Sequence, residues 1–102
     1  MRITFIRPNL YPRRSSDAME PSCFSILKSL TPPDVETDLF DERLEEIPYD
    51  VPTDLVAMTV ETYTARRAYQ ISAEFRRRGV PVVMGGYHPT FLPDEALQFA
   101  DS

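Results

Sequence analysis

Cysteine is nearly missing from this chain: Cys23 is the only one. A single thiol excludes an internal disulfide, a CxxC pair, and a zinc or iron–sulfur site built from this chain alone. Its ordinary role is that of a small buried apolar side chain. Long apolar runs are missing as well. No stretch of about eighteen apolar residues occurs, so no membrane span is expected. The opening MRITFIRP is too short in its apolar part for a secretory signal and lacks a small-residue cleavage site, so the expected location is the cytoplasm. Bases are outnumbered. A net charge of −5 argues against nucleic-acid binding, which needs a basic face to neutralise phosphates. Histidine occurs once, as His88, without an evident co-ligand beside it, so no metal site and no Ser-His-Asp or Cys-His set can be assembled. Neither a GxxxxGK[ST] loop nor a glycine-rich dinucleotide fingerprint after the first strand is present. A receiver domain would need acids where Arg7-Pro8-Asn9 stands.

What remains is a chain of 102 residues with 42% apolar side chains, enough for one small core and too short for two domains, so residues 1–102 are expected to form a single domain. RITFIRP, with Ile3, Phe5 and Ile6, is predicted as a first strand stopped by Pro8. A long polar loop, NLYPRRSSDAMEP, follows, and loops of that length are often functional. Cys23, Ile26, Leu27 and Leu30 then recur at helical spacing, with Phe24 beside the stripe, Pro21 at the start, and Pro32 and Pro33 at the end. VETDLFDE alternates as an outer strand, and residues 42–53 form a second loop. DLVAMTV is a nearly unbroken apolar run, which suits a strand covered on both faces. TARRAYQISAEFRRRG places Ala65, Ala68, Ile71 and Phe75 on one helical face, with Thr64 at its start and Gly79 at its end. VPVVMGG is another buried strand, and PDEALQFA a last short helix with acids in its first turn.

A strand–helix–strand crossover from DLVAMTV to VPVVMGG is right-handed by rule. With the first helix returning the chain to an edge strand, this predicts an α/β fold: a doubly wound parallel sheet in the order 2-1-3-4, in three α/β/α layers. Such sheets commonly carry a fifth strand, and the chain stops at FADS, where one would follow, so it is expected to be an excerpt of a longer protein with an exposed sheet edge open to self-association. The acids Asp34, Glu36, Asp38, Asp41, Glu42, Glu45, Glu46, Asp50 and Asp54 crowd one stretch with only Arg43 among them. A solvated loop is the ordinary reading of such a run, and an acidic docking surface the other.

Ligands bind open parallel sheets beyond the carboxyl ends of the strands, where strand order reverses. PNLYPRRSS, TVETYTARR and GGYHPTF converge there. Gly85 and Gly86 let a flat or bulky ligand lie against the backbone, or serve only as a strand-to-loop turn. Thr59, Thr62, Thr64 and Tyr63 offer hydroxyls near a helix start; Arg13 and Arg14 can meet negative charge. Glu61 reads either as a functional acid or as a helix-entry residue, and His88 as a surface or hydrogen-bonding residue.

The residues RRRGVPVVMGGYHPTFLPDEALQFAD, preceded by DLVAMTVETYTARRA, resemble the N-terminal cobalamin-binding domain of cobalamin-dependent radical SAM proteins. That family carries a strand ending in a Ser/Thr loop, a helix with an Arg-Ala start, RGVPVVxGGxHxTxxPEEAL, and an AD before the fifth strand. RITFIRPN and LFDERLEEIPYD fit its first two strands, so the resemblance spans nearly the whole chain. It implies a Rossmann-like, flavodoxin-like fold that presents a corrinoid to a downstream radical SAM barrel for methyl transfer or related radical chemistry. The implied cofactor-binding residues are Asn9, Leu10, Tyr11, Thr59, Glu61, Thr62, Tyr63, Gly85, Gly86, Tyr87, His88 and Thr90, with Thr59 and the glycines at the nucleotide tail.

Two departures refine that expectation. Corrinoid domains of the methionine synthase type carry Asp-x-His-x-x-Gly after the first strand, and here RPNLYPRRSS has no histidine, so the corrinoid would lack a protein imidazole on its lower face. The CxxxCxxC motif is absent, so this chain alone is expected to be no enzyme; the 4Fe-4S cluster and S-adenosylmethionine would belong to the rest of a parent methyltransferase. The alternatives are a degenerate domain acting as a packing module, and a flavin or nucleotide-phosphate binder using Arg13 and Arg14.

Overall fold

A computed structural model describes residues 1–9 and 22–102. Strand β1, Arg2–Arg7, is followed by helix α1, Ser22–Leu30, and strand β2, Glu36–Asp41. Strand β3, Leu55–Thr59, leads through a single 3-10 turn at Thr62–Thr64 into helix α2, Ala65–Arg77. Strand β4, Val82–Gly85, precedes two short helices, α3 at Tyr87–Phe91 and α4 at Pro93–Ala96. The four strands form one parallel sheet in the order β2-β1-β3-β4, with helices on both faces. This is the doubly wound arrangement that the alternation of apolar runs and amphipathic helices requires.

The two sheet faces differ in cover. One face presents Ile6, Val56, Met58 and Val82 to α2, whose Ala65, Ala68, Ile71 and Phe75 complete a buried cluster with Val60 and Ile47. Ile71 and Phe75 are essentially inaccessible, and burying each contributes about 2–3 kcal/mol. The period of 3.6 in ARRAYQISAEF brings these side chains into one stripe, and Gly79, at φ +81°, ends the helix in the left-handed conformation that a side chain disfavours. Ser72 is buried among them and donates its hydroxyl proton to the Phe99 carbonyl.

Among the described residues, the opposite face is open over much of its length. Phe24 of α1 is buried, its ring centroid 5.5 Å from that of Phe5, but Ile26, Leu27 and Leu30 are exposed. The helical stripe read from Ile26, Leu27 and Leu30 thus does not enter the core; Phe24, beside the stripe, anchors the helix instead. Helix α1 leans over β1 and leaves Leu55, Ala57 and Val83 only partly covered, so DLVAMTV is sealed on one face rather than two. The side chain of Cys23 lies outside the described residues.

The acidic stretch is only in part a solvated loop. Asp41 and Glu42 are buried. Arg67 of α2 clamps Glu42 with Nη2 at 2.6 Å and Nε at 3.1 Å, and the hydrogen bonds and charge of Glu42 raise the guanidinium pKa further, against burial, which lowers it. Arg7 meets Asp41 at 3.5 Å, Arg2 meets Glu36 and Asp38, and Arg78 meets Asp50 at 2.6 Å. Glu74 receives Arg77 and Arg78 together, at 2.7 and 2.9 Å, and these hydrogen bonds, Arg77 first, hold its carboxyl at about 2. Since that folded-state value lies below the ordinary 4.5, the clamp's contribution is complete above about pH 4.5 and is lost as the pH falls toward 2. Thermal melts of wild type and Glu74→Gln are therefore expected to differ at pH 7 and to converge as the buffer is brought toward pH 3.

At the sheet's other edge, Asp101 donates its backbone N–H to the Val82 carbonyl and Met84 donates to the Ser102 carbonyl, so residues 101–102 run along the outer side of β4. Among the described residues, no helix is long and apolar enough to cross a membrane.

Candidate functional site

The carboxyl ends of β1, β3 and β4 meet where strand order reverses, and most of the residues expected to bind a ligand collect there. Strand register sets Thr59 opposite Gly85, Ala57 opposite Val83, Phe5 opposite Ala57, and Ile3 opposite Leu55. All of these point to the open sheet face, because side chains alternate along a strand. Together with Phe24, Ile26 and Leu27 of α1 they line a groove of about 580 Å³. Its floor is flat and apolar, and at the carboxyl end it runs out between Thr59, Gly85 and Gly86.

The two glycines differ in what they do. A Cβ on Gly85 would meet nothing within 4 Å; its missing side chain simply leaves the groove floor clear. Gly86 has φ +105°, and a Cβ there would lie 3.0 Å from the Val60 carbonyl oxygen and 3.2 Å from Thr59 Oγ1. Gly86 is therefore required by the backbone itself, as the turn into α3 crosses the end of β3. Val60 donates to the Gly85 carbonyl at 2.8 Å, and His88 donates its backbone N–H to the Val60 carbonyl at 3.1 Å, which pins the two loops together.

The β3–α2 loop is ordered by local bonds. Glu61 donates its backbone N–H to Thr64 Oγ1 at 3.1 Å, and the Thr64 hydroxyl donates to the Glu61 carbonyl. The geometry at Glu61 is thus that of a helix-entry residue, and Thr64 is buried within it. Thr62 and Tyr63 face outward, with Tyr63 exposed. Beyond β4, Tyr87 and Phe91 lie exposed and parallel on one side of α3, while the Thr90 hydroxyl donates to the Gly86 carbonyl at 2.7 Å. Helix α3 was not expected from the sequence, because Gly86 and Pro89 both read as loop. Pro89 falls in the helix's first turn, where its missing N–H has no partner to lose.

His88 is buried at 6% exposure, with Nε2 2.7 Å from Glu95 Oε2 and Nδ1 3.3 Å from Thr62 Oγ1. Tyr69 donates its hydroxyl to the same Glu95 oxygen at 3.1 Å. Burial first, and Glu95 second, push the Tyr69 phenol up to about 12. Thr62, Tyr69, His88 and Glu95 line a second cavity of about 640 Å³ on the α2 side of the sheet. Asn9 is buried at the end of β1, its backbone N–H donated to Glu42 Oε1 at 3.1 Å. Leu10 and Tyr11, and with them Arg13 and Arg14, lie outside the described residues.

Sequence reasoning missed the groove floor. Leu55, Ala57 and Val83 read as ordinary core. The available signal was size: Ala57 and Gly85 are small residues on the same face of neighbouring strands, where a sheet covered by a helix would carry larger ones.

Comparison with known proteins points in one direction. The chain is 48% identical over 77 residues to a bacteriochlorophyllide d C-8(2)-methyltransferase of Chlorobaculum tepidum, which covers 74% of this chain and 17% of that protein. It is 41% identical over 63 residues to a bacteriochlorophyllide d C-12(1)-methyltransferase of the same organism, covering 60% of this chain and 14% of that one. The chain thus spans less than a fifth of the length of these two relatives. No protein-family model matches it, and no solved structure matches it.

Proposed function

We propose that this chain is a corrinoid-binding domain that serves a radical SAM methyltransferase. The observation that carries the reading is the groove that opens at Thr59, Gly85 and Gly86 and continues, flat and apolar, along the uncovered sheet face. A cobalamin has a rigid macrocycle with a nucleotide tail ending in a flat aromatic base. The tail needs a slot that begins at a sheet's carboxyl end and has no side chain in its way, and Gly85 leaves the floor open at that point. Thr59, at the end of β3 and in register with Gly85, would offer its hydroxyl to the tail, and Leu55, Ala57 and Val83, on the groove floor, would receive its base. Asn9, Leu10, Tyr11, Glu61, Thr62, Tyr63, Tyr87 and Thr90 belong to the segments that would surround the macrocycle.

A bound corrinoid supplies a methyl-carrying cobalt centre. Residues at the sheet end would hold the macrocycle, and Thr59, Gly85, Leu55, Ala57 and Val83 would hold the tail and exclude water from the slot. Both nitrogens of the sole histidine lie within bonding distance of Thr62 and Glu95, which supports a corrinoid without a protein imidazole on its lower face. S-adenosylmethionine and the 4Fe-4S cluster would be held by a barrel in the same parent protein. The similarity to two methyltransferases supports a methyl-transfer role for that parent, and an extended conjugated macrocycle as the class of its substrate.

A visible-absorption titration of the folded chain with hydroxocobalamin and methylcobalamin tests the reading. A saturable spectral shift is expected. A folded chain, verified by circular dichroism, that gives no shift with either compound would leave the degenerate packing module as the better account.

A further inference from the structure

We propose that His88 is a positioning residue for ligand binding: it holds the Thr62 hydroxyl as an outward-facing hydrogen-bond acceptor for an amide N–H on the rim of the ligand, without touching the ligand itself. This rests on the corrinoid reading above, since a corrin rim is lined with amide side chains.

A carboxylate only accepts hydrogen bonds, so Glu95 Oε2 takes protons from both groups that reach it, the Tyr69 hydroxyl at 3.1 Å and His88 Nε2 at 2.7 Å. In its neutral form the imidazole then carries its proton on Nε2, and Nδ1 is left as an acceptor. The only described hydroxyl facing Nδ1 is that of Thr62, at 3.3 Å, so Thr62 donates its proton inward. Its oxygen lone pairs are left toward solvent at the carboxyl end of the sheet, where Thr62 is exposed. A relay of Tyr69, Glu95, His88 and Thr62 therefore fixes the hydrogen-bonding sense of a residue that sequence reading could only class as a hydroxyl near a helix start.

Position is fixed along with sense. The His88 backbone N–H ties α3 to the Val60 carbonyl, and its ring reaches across to Thr62 in the same loop, so one residue holds the β3–α2 loop at both ends. Glu95, from α4, and Tyr69, from α2, brace the ring from behind, and Tyr69 is itself stacked on Phe99 with centroids 4.2 Å apart. A residue whose only task was to fill space would not need two polar partners on separate elements.

A double-mutant cycle read by hydroxocobalamin titration tests the proposal on the full chain. Thr62→Val keeps the shape of an exposed side chain, so it is expected to fold as wild type and to weaken binding by up to about tenfold, the worth of one hydrogen bond. His88→Ala is expected to lose a similar factor, and the double variant no more than either single one, because both remove the same contact. His88→Asn, whose amide oxygen can accept in place of Nδ1, should recover most of the affinity even though the Glu95 contact is gone. Where His88→Ala does not fold, Thr62→Val and His88→Asn carry the comparison. Additive losses, full affinity in Thr62→Val, or no recovery in a folded His88→Asn would each overturn the positioning role while leaving the corrinoid reading intact. A wild-type chain that binds no corrinoid would overturn both.

Discussion

Gly85→Val is expected to leave the fold unchanged and to abolish corrinoid binding. The substitution adds a branched side chain to a strand position where a Cβ meets nothing within 4 Å, so neither clash nor backbone strain opposes folding. Valine is a better strand residue than glycine, and the melting temperature is expected to hold or rise slightly. The added methyl groups project onto the groove floor beside Thr59, where the nucleotide tail would enter. Overpacking of a fitted slot costs about 3 kcal/mol, so affinity for hydroxocobalamin is expected to fall about a hundredfold or more. Gly86→Val supplies the control. There a Cβ would press on Val60 and Thr59 backbone and side-chain atoms at 3.0–3.2 Å with φ at +105°, so stability and binding are lost together. Binding assays paired with thermal melts distinguish the two. Gly85→Val with unaltered affinity would remove the tail from this groove.

Arg67→Ala is expected to have the largest effect on stability. Glu42 is 3% exposed, and Arg67 supplies both of its close charged contacts. Among the described residues, removing the guanidinium leaves the buried carboxylate to the Asn9 backbone N–H at 3.1 Å, and breaking such a pair costs about 3–5 kcal/mol. Against the total of about 5–15 kcal/mol typical of a domain, that is a large fraction. Urea denaturation should show the midpoint falling without a matching change in slope. Replacing both partners by apolar residues, Glu42→Leu with Arg67→Met, is expected to recover much of the loss, because no charge is then left buried alone. The pair also holds the end of β1: Glu42 receives the Asn9 N–H, so Arg67→Ala is expected to loosen the point from which the ligand-side loop departs.

The sheet was legible because its determinants are local. Alternation in RITFIR, the unbroken run in LVAMT and the 3.6-residue period in ARRAYQISAEF each state their element and its buried face, and parallel order follows from the crossovers. What the helical period of residues 23–30 could not state was how far α1 would reach across the sheet. Its stripe reads as core-facing, yet Ile26, Leu27 and Leu30 are exposed and Phe24 carries the contact. Cover is a property of several elements at once, and so is the groove. The acidic stretch shows the same limit: a charge run looks solvated until the arginines that meet it, Arg2, Arg7, Arg67 and Arg78, are brought from elsewhere in the chain. At the ligand end, glycines and hydroxyls were recognisable by type. The linkage of His88 to Glu95 and Thr62 was not, because α3 and α4 had to fold around a proline-bearing turn before those three side chains could meet.

On the proposed reading, the groove would take the nucleotide tail away from the metal and no protein imidazole would replace it. Electron paramagnetic resonance of cob(II)alamin bound to the chain reads this directly, since an axial nitrogen on cobalt(II) splits the signal and its loss removes the splitting. The spectrum of the complex is expected to lack nitrogen splitting, with the tail along Leu55, Ala57 and Val83 and the imidazole of His88 held by Thr62 and Glu95. A complex that retains the nitrogen splitting would contradict it, by showing either the tail base still on the metal or a histidine in its place.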